Sequence, residues 1–195
     1  MNIAVVLGNG PSRIKFDLTK ITYWATTFGC NAIYRDYMPD YLIAMDPHMV
    51  EEIVHSGFHH YTQFYTQHEN SIDELALREP IHFVASEPDT LDSGNSAIKL
   101  AIQRGHRLIY LVGFDYISGQ THNNVYVGTK NYNDDAFYHH NIELALHWQQ
   151  ALRKIVQSNP DVTFIRVNAR HDKFDIHDHN FTSISGEEFK RRYDE

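Results

Sequence analysis

The first twelve residues, MNIAVVLGNGPS, consist of an apolar, β-branched run at residues 3–7 and, directly after it, the turn Gly8-Asn9-Gly10-Pro11-Ser12. This pattern predicts a buried strand that ends in a tight turn at the edge of a sheet. The glycines allow backbone N–H groups to approach a ligand, and Ser12 adds a hydroxyl near a helix start. Position 13 is Arg, so the turn is neither the G-x-G-x-x-G fingerprint nor a P-loop. A ligand-binding turn and a plain strand-to-loop turn are both compatible with it.

Similar apolar runs recur along the chain, with helical patterns between them. We predict six strands, at residues 3–7, 21–27, 41–45, 81–85, 108–112 and 162–167. We predict helices at residues 31–37, 47–56, 93–103 and 136–157, and a short terminal helix that starts at Ser185. The alternation predicts a single-domain α/β fold, with a Rossmann-like, mostly parallel sheet and helices on both faces.

We assign residues 1–170 to the Rossmann-like domain and residues 171–195 to a C-terminal loop and short helix packed on it. Residues 58–80 and 118–135 fit no regular element. The second of these stretches follows a predicted strand, so we expect it to lie over a ligand site.

Composition and charge limit the classes of function. The 195 residues include 17 Lys and Arg against 25 Asp and Glu, a formal net charge of −8. Without a basic run the chain is not expected to bind nucleic acid. A lone Cys30 excludes an internal disulfide.

The chain has no apolar stretch long enough for a membrane span and no signal-peptide pattern at its start, so we expect a cytoplasmic protein. The sequence does not fix the oligomeric state, and a homo-oligomer is compatible with it.

Two further polar turns accompany the first one. Gly29-Cys30-Asn31 follows the second predicted strand, and Asp92-Ser93-Gly94 precedes a helix as an anion-binding N-terminus does. Because parallel strands present their carboxyl ends at one edge of a sheet, we expect the three turns to converge on one crevice.

These three turns, together with the strand that ends at Gly113-Phe114-Asp115, resemble a known group of bacterial proteins over roughly the first 170 residues. The group comprises the sialyltransferases that extend lipooligosaccharide, the related motility-accessory flagellin glycosyltransferases and the 6-hydroxymethylpterin diphosphokinase-like proteins. For the sialyltransferase-like enzymes, the resemblance implies a donor in which CMP activates a nonulosonic acid such as sialic acid, an acceptor glycan or small molecule, and inverting transfer that requires no metal or other cofactor.

The resemblance also implies roles for individual residues. Gly8, Asn9, Gly10, Pro11 and Ser12 would face the nucleotide phosphate, Asn31 would bind near the phosphate and sugar, and Ser93 and Gly94 would hold the cytidine. Tyr116 and Tyr126 would donate hydrogen bonds to the departing phosphate, and His139 or His140 would be the general base. Imidazole suits that task because its pKa lies near 7, and phenols can stabilise a departing phosphate without a cation. Both histidines are equally compatible with a solvated helix start.

Three alternatives remain open at this stage. Asp46 and Asp115 each follow a predicted strand, where they could hold nucleotide-bound Mg²⁺ in a diphosphokinase; Asp46 before Pro47 is equally typical of a helix N-cap. The chain could also bind a nucleotide without catalysis. The histidine-rich residues 170–179 have no spacing tied to a known metal geometry, so we expect a solvated loop there.

Overall fold

A computed structural model describes residues 2–84, 92–115, 124–132, 142–167, 174 and 176–194 of the chain. The strands are β1 (Ile3–Leu7), β2 (Thr26–Cys30), β3 (Tyr41–Ile43), β4 (Gln63–Thr66), β5 (Ile81–Phe83), β6 (Leu108–Val112), β7 (Thr163–Val167) and β8 (Phe181–Ile184). The α-helices are α1 (Leu18–Ile21), α2 (Pro47–Ser56), α3 (Asn70–Ala76), α4 (Ser93–Gln103), α5 (Ile142–Ser158) and α6 (Gly186–Asp194). Shorter 3-10 helices lie at Pro11–Lys15, Asn31–Arg35 and Phe58–His60.

The strands form one sheet in the order β5-β4-β3-β2-β1-β6-β7-β8, and every neighbouring pair is parallel. The chain runs outward from β1 to β5 and then returns to place β6 on the other side of β1. The strand order therefore reverses between β1 and β6, as it does in doubly wound, Rossmann-like sheets. The predicted single parallel-sheet α/β fold is confirmed, with eight strands rather than six.

Apolar residues on both faces of the sheet explain why helices cover both. Val5 and Leu7 of β1 pack with helices α1, α2, α3 and α6, while Ala4 and Val6 pack with α4 and α5. Successive residues of a strand point to opposite faces, so a strand buried on both faces is apolar throughout. This is why the run at residues 3–7 was recognisable from the sequence.

Several element boundaries differ from the predictions. Ile21 ends helix α1, whose N-cap Asp17 accepts a hydrogen bond from the Thr19 backbone N–H, and the strand predicted at residues 21–27 begins only at Thr26. The predicted helix at residues 31–37 is a 3-10 helix at Asn31–Arg35. Residues 58–80, predicted to be irregular, contain a 3-10 helix, β4 and α3.

The C-terminal part of the chain contributes to the same sheet. Strand β8 pairs with β7, and Phe189 of α6 is fully buried in the core. The domain boundary at residue 170 stays a prediction. No helix in the described ranges combines the length and apolarity that crossing a membrane requires.

Buried Arg166 at the end of β7 fixes the turn that follows β6. Its Nε and Nη2 atoms donate to the Phe114 carbonyl oxygen at 3.2 and 2.8 Å, and Nη1 donates to the Phe174 carbonyl oxygen at 3.0 Å. Only 1% of Arg166 is exposed. The backbone at Phe114, next to the strand-order reversal, is thereby held in place.

Candidate functional site

A cavity of about 170 Å³ opens at the carboxyl ends of β1, β2 and β6. This is the position at which open α/β sheets bind ligands. The residues that line it come from four turns, from the described segment 124–132 and from α5: Gly8, Asn9, Gly10, Cys30, Asn31, Asp92, Ser93, Gly94, Gly113, Phe114, Asp115, Asn124 and Trp148. The structure thus brings six predicted binding residues together around one cavity, whereas Pro11 and Ser12 do not line it.

A larger groove of about 770 Å³ lies at the amino ends of β1 to β4. It is lined by residues such as Thr26, Tyr41 and Gln63, and none of the three polar turns reaches it. Because ligands of parallel sheets bind at the carboxyl ends of strands, we take the smaller cavity as the candidate site.

The Gly8–Ser12 turn is fastened to the end of β6. The backbone N–H groups of Gly8 and Gly10 donate to the carbonyl oxygens of Val112 and Gly113, each at 2.8 Å, and the Ser12 N–H donates to Asp115 Oδ2 at 2.6 Å. A Cβ atom on Gly8 would lie 2.6 Å from the Gly113 carbonyl oxygen, so the close approach of the two turns requires glycine. These three N–H groups therefore already have partners within the protein, and Asn9 is the residue of this turn whose polar side chain lines the cavity.

Asn9 and Asn31 present polar side-chain atoms at the cavity. Asn9 Nδ2 donates to the Cys30 carbonyl oxygen at 2.9 Å, and Asn9 Oδ1 is buried without a hydrogen-bond partner. Asn31 Oδ1 accepts from Ser93 Oγ at 2.7 Å, which directs its Nδ2 donor elsewhere. Asn31 adopts φ 51°, a left-handed backbone conformation that is costly for residues other than glycine and concentrates at functional sites.

Tyr132 lies directly behind these two asparagines. Its hydroxyl is close to the side chains of Asn9 and Asn31 and to the Ala32 N–H, but no hydrogen bond of good geometry reaches it. Burial raises the pKa of Tyr132 to about 12, so the phenol stays protonated at neutral pH and can donate a hydrogen bond. The sequence analysis missed this residue, although it pointed to tyrosines in the loop after Asp115.

Tyr126 has different surroundings. Its hydroxyl donates to Asp36 Oδ1 at 2.5 Å and accepts from Arg13 Nη2 at 2.6 Å, while Arg13 also pairs with Asp36 at 3.1 Å. Burial, together with the bond to Asp36, raises the pKa of Tyr126. Tyr126 does not line the cavity, and its hydroxyl anchors the segment that contains Tyr132. Its role towards a departing phosphate stays a prediction.

The segment 124–132 is clamped to the body of the protein through Glu52 of α2. Glu52 Oε1 accepts from Arg35 Nε and Nη2 at 2.9 and 2.5 Å and from Tyr34 Oη at 2.5 Å, and Oε2 accepts from Asn131 Nδ2 at 2.7 Å. Arg35 also donates to Thr129 Oγ1 at 2.7 Å. Burial alone would raise the pKa of Glu52, but hydrogen bonds from Tyr34 and Arg35 outweigh it and hold that pKa below its ordinary value.

Helix α4 is capped by a carboxylate of the chain itself. Asp92 Oδ1 accepts from the Asn95 backbone N–H at 2.8 Å, and Oδ2 accepts from Asn95 Nδ2 at 2.6 Å. Burial raises the pKa of Asp92. The helix start predicted to bind an anion therefore already has an acidic group, which favours a neutral part of a ligand beside Ser93 and Gly94.

The two aspartates considered as Mg²⁺ ligands accept hydrogen bonds from different parts of the protein. Asp46 Oδ1 caps α2 by accepting from the His48 and Met49 backbone N–H groups at 2.9 and 3.3 Å, and Asp46 does not line the cavity. Asp115 lines it but accepts from Ser12. Within the described ranges, neither aspartate belongs to a cluster of three ligating side chains.

Other predicted residues cannot be placed. Tyr116, His139 and His140 lie outside the described residues, as does half of the histidine-rich stretch at residues 170–179, namely residues 170–173 and 175. Their predicted roles stay predictions.

The two tyrosines of segment 124–132 are expected to respond oppositely to loss of the hydroxyl. Tyr126→Phe removes hydrogen bonds to the ion pair of buried Arg13 with half-exposed Asp36 and should lower the free energy of unfolding by about 1–2 kcal/mol. Tyr132→Phe removes a buried hydroxyl without a partner and should leave stability unchanged or raise it. Urea denaturation measures both, and a loss above about 1 kcal/mol for Tyr132→Phe would contradict the assignment.

Glu52 and its neighbour Glu51 provide a matched pair, because Glu51 is exposed. Glu52→Gln should lower the free energy of unfolding by about 1–3 kcal/mol and speed amide exchange in residues 124–132, since it removes a charged partner of Arg35. Glu51→Gln should change neither. Because the pKa of Glu52 is lower in the folded state than its ordinary value of 4.5, the ionised carboxylate stabilises the fold above that value. The difference in stability between Glu52→Gln and wild type should therefore shrink as the pH falls below 4.5 and vanish below the pKa of the folded state. Equal exchange in both variants would argue against the clamp.

Comparison with known proteins shows what fold this site is built on. No protein-family model and no curated protein sequence matches the chain. The solved structures that resemble it include sialyltransferase CST-II with a trisaccharide acceptor and CMP, at 14% identity and a TM-score of 0.56 over 99% of each chain.

Two further structures of the same enzyme also match. One is CstII from Campylobacter jejuni with the substrate analogue cytidine-5′-monophosphate, at 15% identity and a TM-score of 0.56 over 85% of this chain and 79% of that one. The other is a mutant of the alpha-2,3/8-sialyltransferase CstII, at 13% identity and a TM-score of 0.53 over 85% and 81%. At such identities the likeness establishes the fold: the chain has a sialyltransferase-like fold, while the flagellin and pterin groups stay predictions.

Proposed function

We propose that this protein is a glycosyltransferase that uses a CMP-linked nonulosonic acid as its donor. The observation that carries the proposal is the convergence of Asn9, Asn31 and the Ser93-Gly94 turn on one cavity at the strand-order reversal. Support also comes from the shared fold, since CST-II has been solved with CMP and an acceptor trisaccharide.

The charge around the cavity favours a donor with a single phosphate. The described lining residues include Asp92 and Asp115 and neither lysine nor arginine. A nucleoside di- or triphosphate carries several negative charges, which require basic side chains or a bound cation. A CMP-linked nonulosonic acid carries a single charge on its phosphodiester, which neutral amide and phenol donors can satisfy, and a separate charge on the carboxylate of the sugar. This reasoning favours the transferase over the diphosphokinase.

The lining residues divide naturally between the parts of such a donor. Ser93 and Gly94, with the aromatic rings of Phe114 and Trp148 nearby, suit the nucleoside, where the buried Asp92 carboxylate disfavours an anion. The amide N–H groups of Asn9 and Asn31 suit the phosphate, and the Tyr132 hydroxyl lies behind these two side chains without lining the cavity itself. Asn9 Oδ1 is an acceptor that is buried without a partner, so it suits a hydroxyl group of the donor or a water molecule rather than the phosphate.

In the proposed reaction an acceptor hydroxyl attacks the anomeric carbon of the sugar. The bond between that carbon and the phosphate oxygen breaks, CMP departs, and the acceptor proton passes to His139 or His140. Tyr116 or Tyr126, as predicted from the sequence, would stabilise charge that develops on the departing phosphate, and Tyr132, behind Asn9 and Asn31, is a further candidate for this role. No metal enters this scheme.

Asn31→Gly tests the binding site without straining the backbone, because glycine adopts φ 51° freely. Loss of a hydrogen bond to a charged phosphate should weaken CMP binding by about 10- to 100-fold in calorimetry. The control Asn2→Gly changes an exposed asparagine at the opposite end of the sheet and should bind CMP normally. Wild type should bind CMP equally with and without Mg²⁺. Binding of ATP that requires Mg²⁺, without binding of CMP, would instead identify a kinase.

Replacing both His139 and His140 with alanine tests the proposed base. Removal of a general base should slow transfer from CMP-sialic acid, or its hydrolysis, by about 10²- to 10⁴-fold, while CMP still binds. A control that replaces His55 and His68 should retain activity. Unchanged turnover in the His139 and His140 variant would refute the base assignment, and CMP binding without any turnover in wild type would identify a binding protein.

A further inference from the structure

Three side chains that commonly bind metals meet far from the cavity, at the amino ends of β4 and β5. His59 and His60 lie in the 3-10 helix that precedes β4, and Glu79 lies just before β5. One ligand atom from each residue lies within 4.8 Å of the other two. The sequence analysis drew nothing from these residues, because their association depends on the pairing of β4 with β5.

The separations of these atoms suit a small divalent ion. His59 Nε2 lies 2.8 Å from Glu79 Oε2, and His60 Nε2 lies 3.6 Å from the same oxygen. Zinc binds imidazole nitrogen and carboxylate oxygen at about 2.0–2.2 Å in a tetrahedron, which places ligand atoms about 3.3–3.6 Å apart. Small side-chain rotations would bring all three atoms onto one ion.

The backbone and the packing already hold the three groups in position. His59 is 2% exposed, and its ring lies against that of His60 with centroids 4.0 Å apart. The Glu79 backbone N–H donates to Leu75, and its carbonyl oxygen accepts from Ile81 at the start of β5. The cluster therefore loses little further conformational freedom when an ion binds.

One side of the cluster remains open to solvent. The His60 side chain is 54% exposed, and His60 also lines the groove at the amino ends of the strands. An ion can therefore enter from solvent and keep water as a fourth ligand. Two imidazoles and one carboxylate with an open position form the same ligand set as several zinc sites.

We infer that His59, His60 and Glu79 form a binding site for a divalent transition metal, with Zn²⁺ as the preferred ion. The site joins the 3-10 helix before β4 to the turn before β5, so bound metal stabilises the outer strands of the sheet. Magnesium is not expected to bind, because it prefers oxygen ligands. Without metal, His59 Nε2 and Glu79 Oε2 form a hydrogen bond.

The expected affinity of the site for the metal ion depends on Nδ1 of His59, the ring nitrogen that does not ligate the ion. Histidines that bind metals tightly donate their other ring N–H to an acceptor, but Nδ1 of His59 is buried without a partner. We therefore expect an affinity about 10- to 100-fold weaker than that of a site with such an acceptor. Acid should weaken binding further, since both imidazoles must be neutral to ligate the ion.

Metal-free wild type and three full-length variants test the site. His60→Ala and Glu79→Gln each remove one ligand, whereas the control His68→Ala removes another exposed histidine that pairs with a carboxylate, Asp73. Calorimetry and equilibrium dialysis with Zn²⁺ should show one fewer bound ion in the two ligand variants than in wild type and in His68→Ala. Differences between variants separate this site from other histidines among the 14. Equal Zn²⁺ binding by all four proteins would overturn the inference.

Thermal unfolding supplies a readout that does not depend on counting ions. Zn²⁺ at a hundredfold excess over its dissociation constant should raise the Tm of wild type and His68→Ala by about 5–10 °C. It should raise the Tm of His60→Ala much less. Mg²⁺ should have no such effect on any of them. Equal Zn²⁺-induced shifts in wild type and His60→Ala would refute the site.

Discussion

The close approach of the Gly8 turn to the Gly113 turn is the contact on which the candidate site depends. Strands β1 and β6 are adjacent, but the chain between them makes four other strands. Their ends are joined by hydrogen bonds from Gly8 and Gly10 to the end of β6 and from Ser12 to Asp115. Arg166 holds the same turn from the far side through Phe114. The cavity forms because these turns are fixed where the two halves of the sheet meet, between β1 and β6.

A second set of contacts determines which side chains face the carboxyl ends of β1 and β6. The segment 124–132 is irregular and has one isolated bridge. The Val125 backbone N–H donates to the Asn9 carbonyl oxygen at 2.8 Å, and side chains provide further contacts that hold the segment. Arg13 and Asp36 bind Tyr126, and Glu52 binds Asn131 and Arg35. Both networks use charged groups that satisfy one another, whereas the described residues that line the cavity offer neutral donors and two carboxylates. Basic charge is thus used to position the segment rather than to line the cavity.

The sequence was sufficient to predict the general fold and the three convergent turns. Strands β1 and β6 have five consecutive apolar residues, and glycine and asparagine follow parallel strands where ligands bind. Strand β4, with sequence QFYT, and strand β8, with sequence FTSI, were missed because each is four residues long and partly polar.

The roles of individual side chains were harder to predict from the sequence, because they depend on tertiary contacts. Glu51 and Glu52 are adjacent residues of the same type, and only their positions on α2 distinguish the clamp from a solvated carboxylate. The Gly8–Ser12 turn was predicted to face a nucleotide phosphate, but the backbone N–H groups of Gly8 and Gly10 donate to the end of β6 instead. Similarly, nothing local separates Tyr126, which binds an ion pair, from Tyr132, whose hydroxyl is unpartnered beside Asn9 and Asn31. The strand order also affects biosynthesis: on the ribosome, β1 to β5 emerge before β6, so the backbone N–H and C=O groups along one edge of β1 stay unpaired until β6 is translated. The nascent chain must therefore shield that edge, and its ligand pocket is completed late in synthesis.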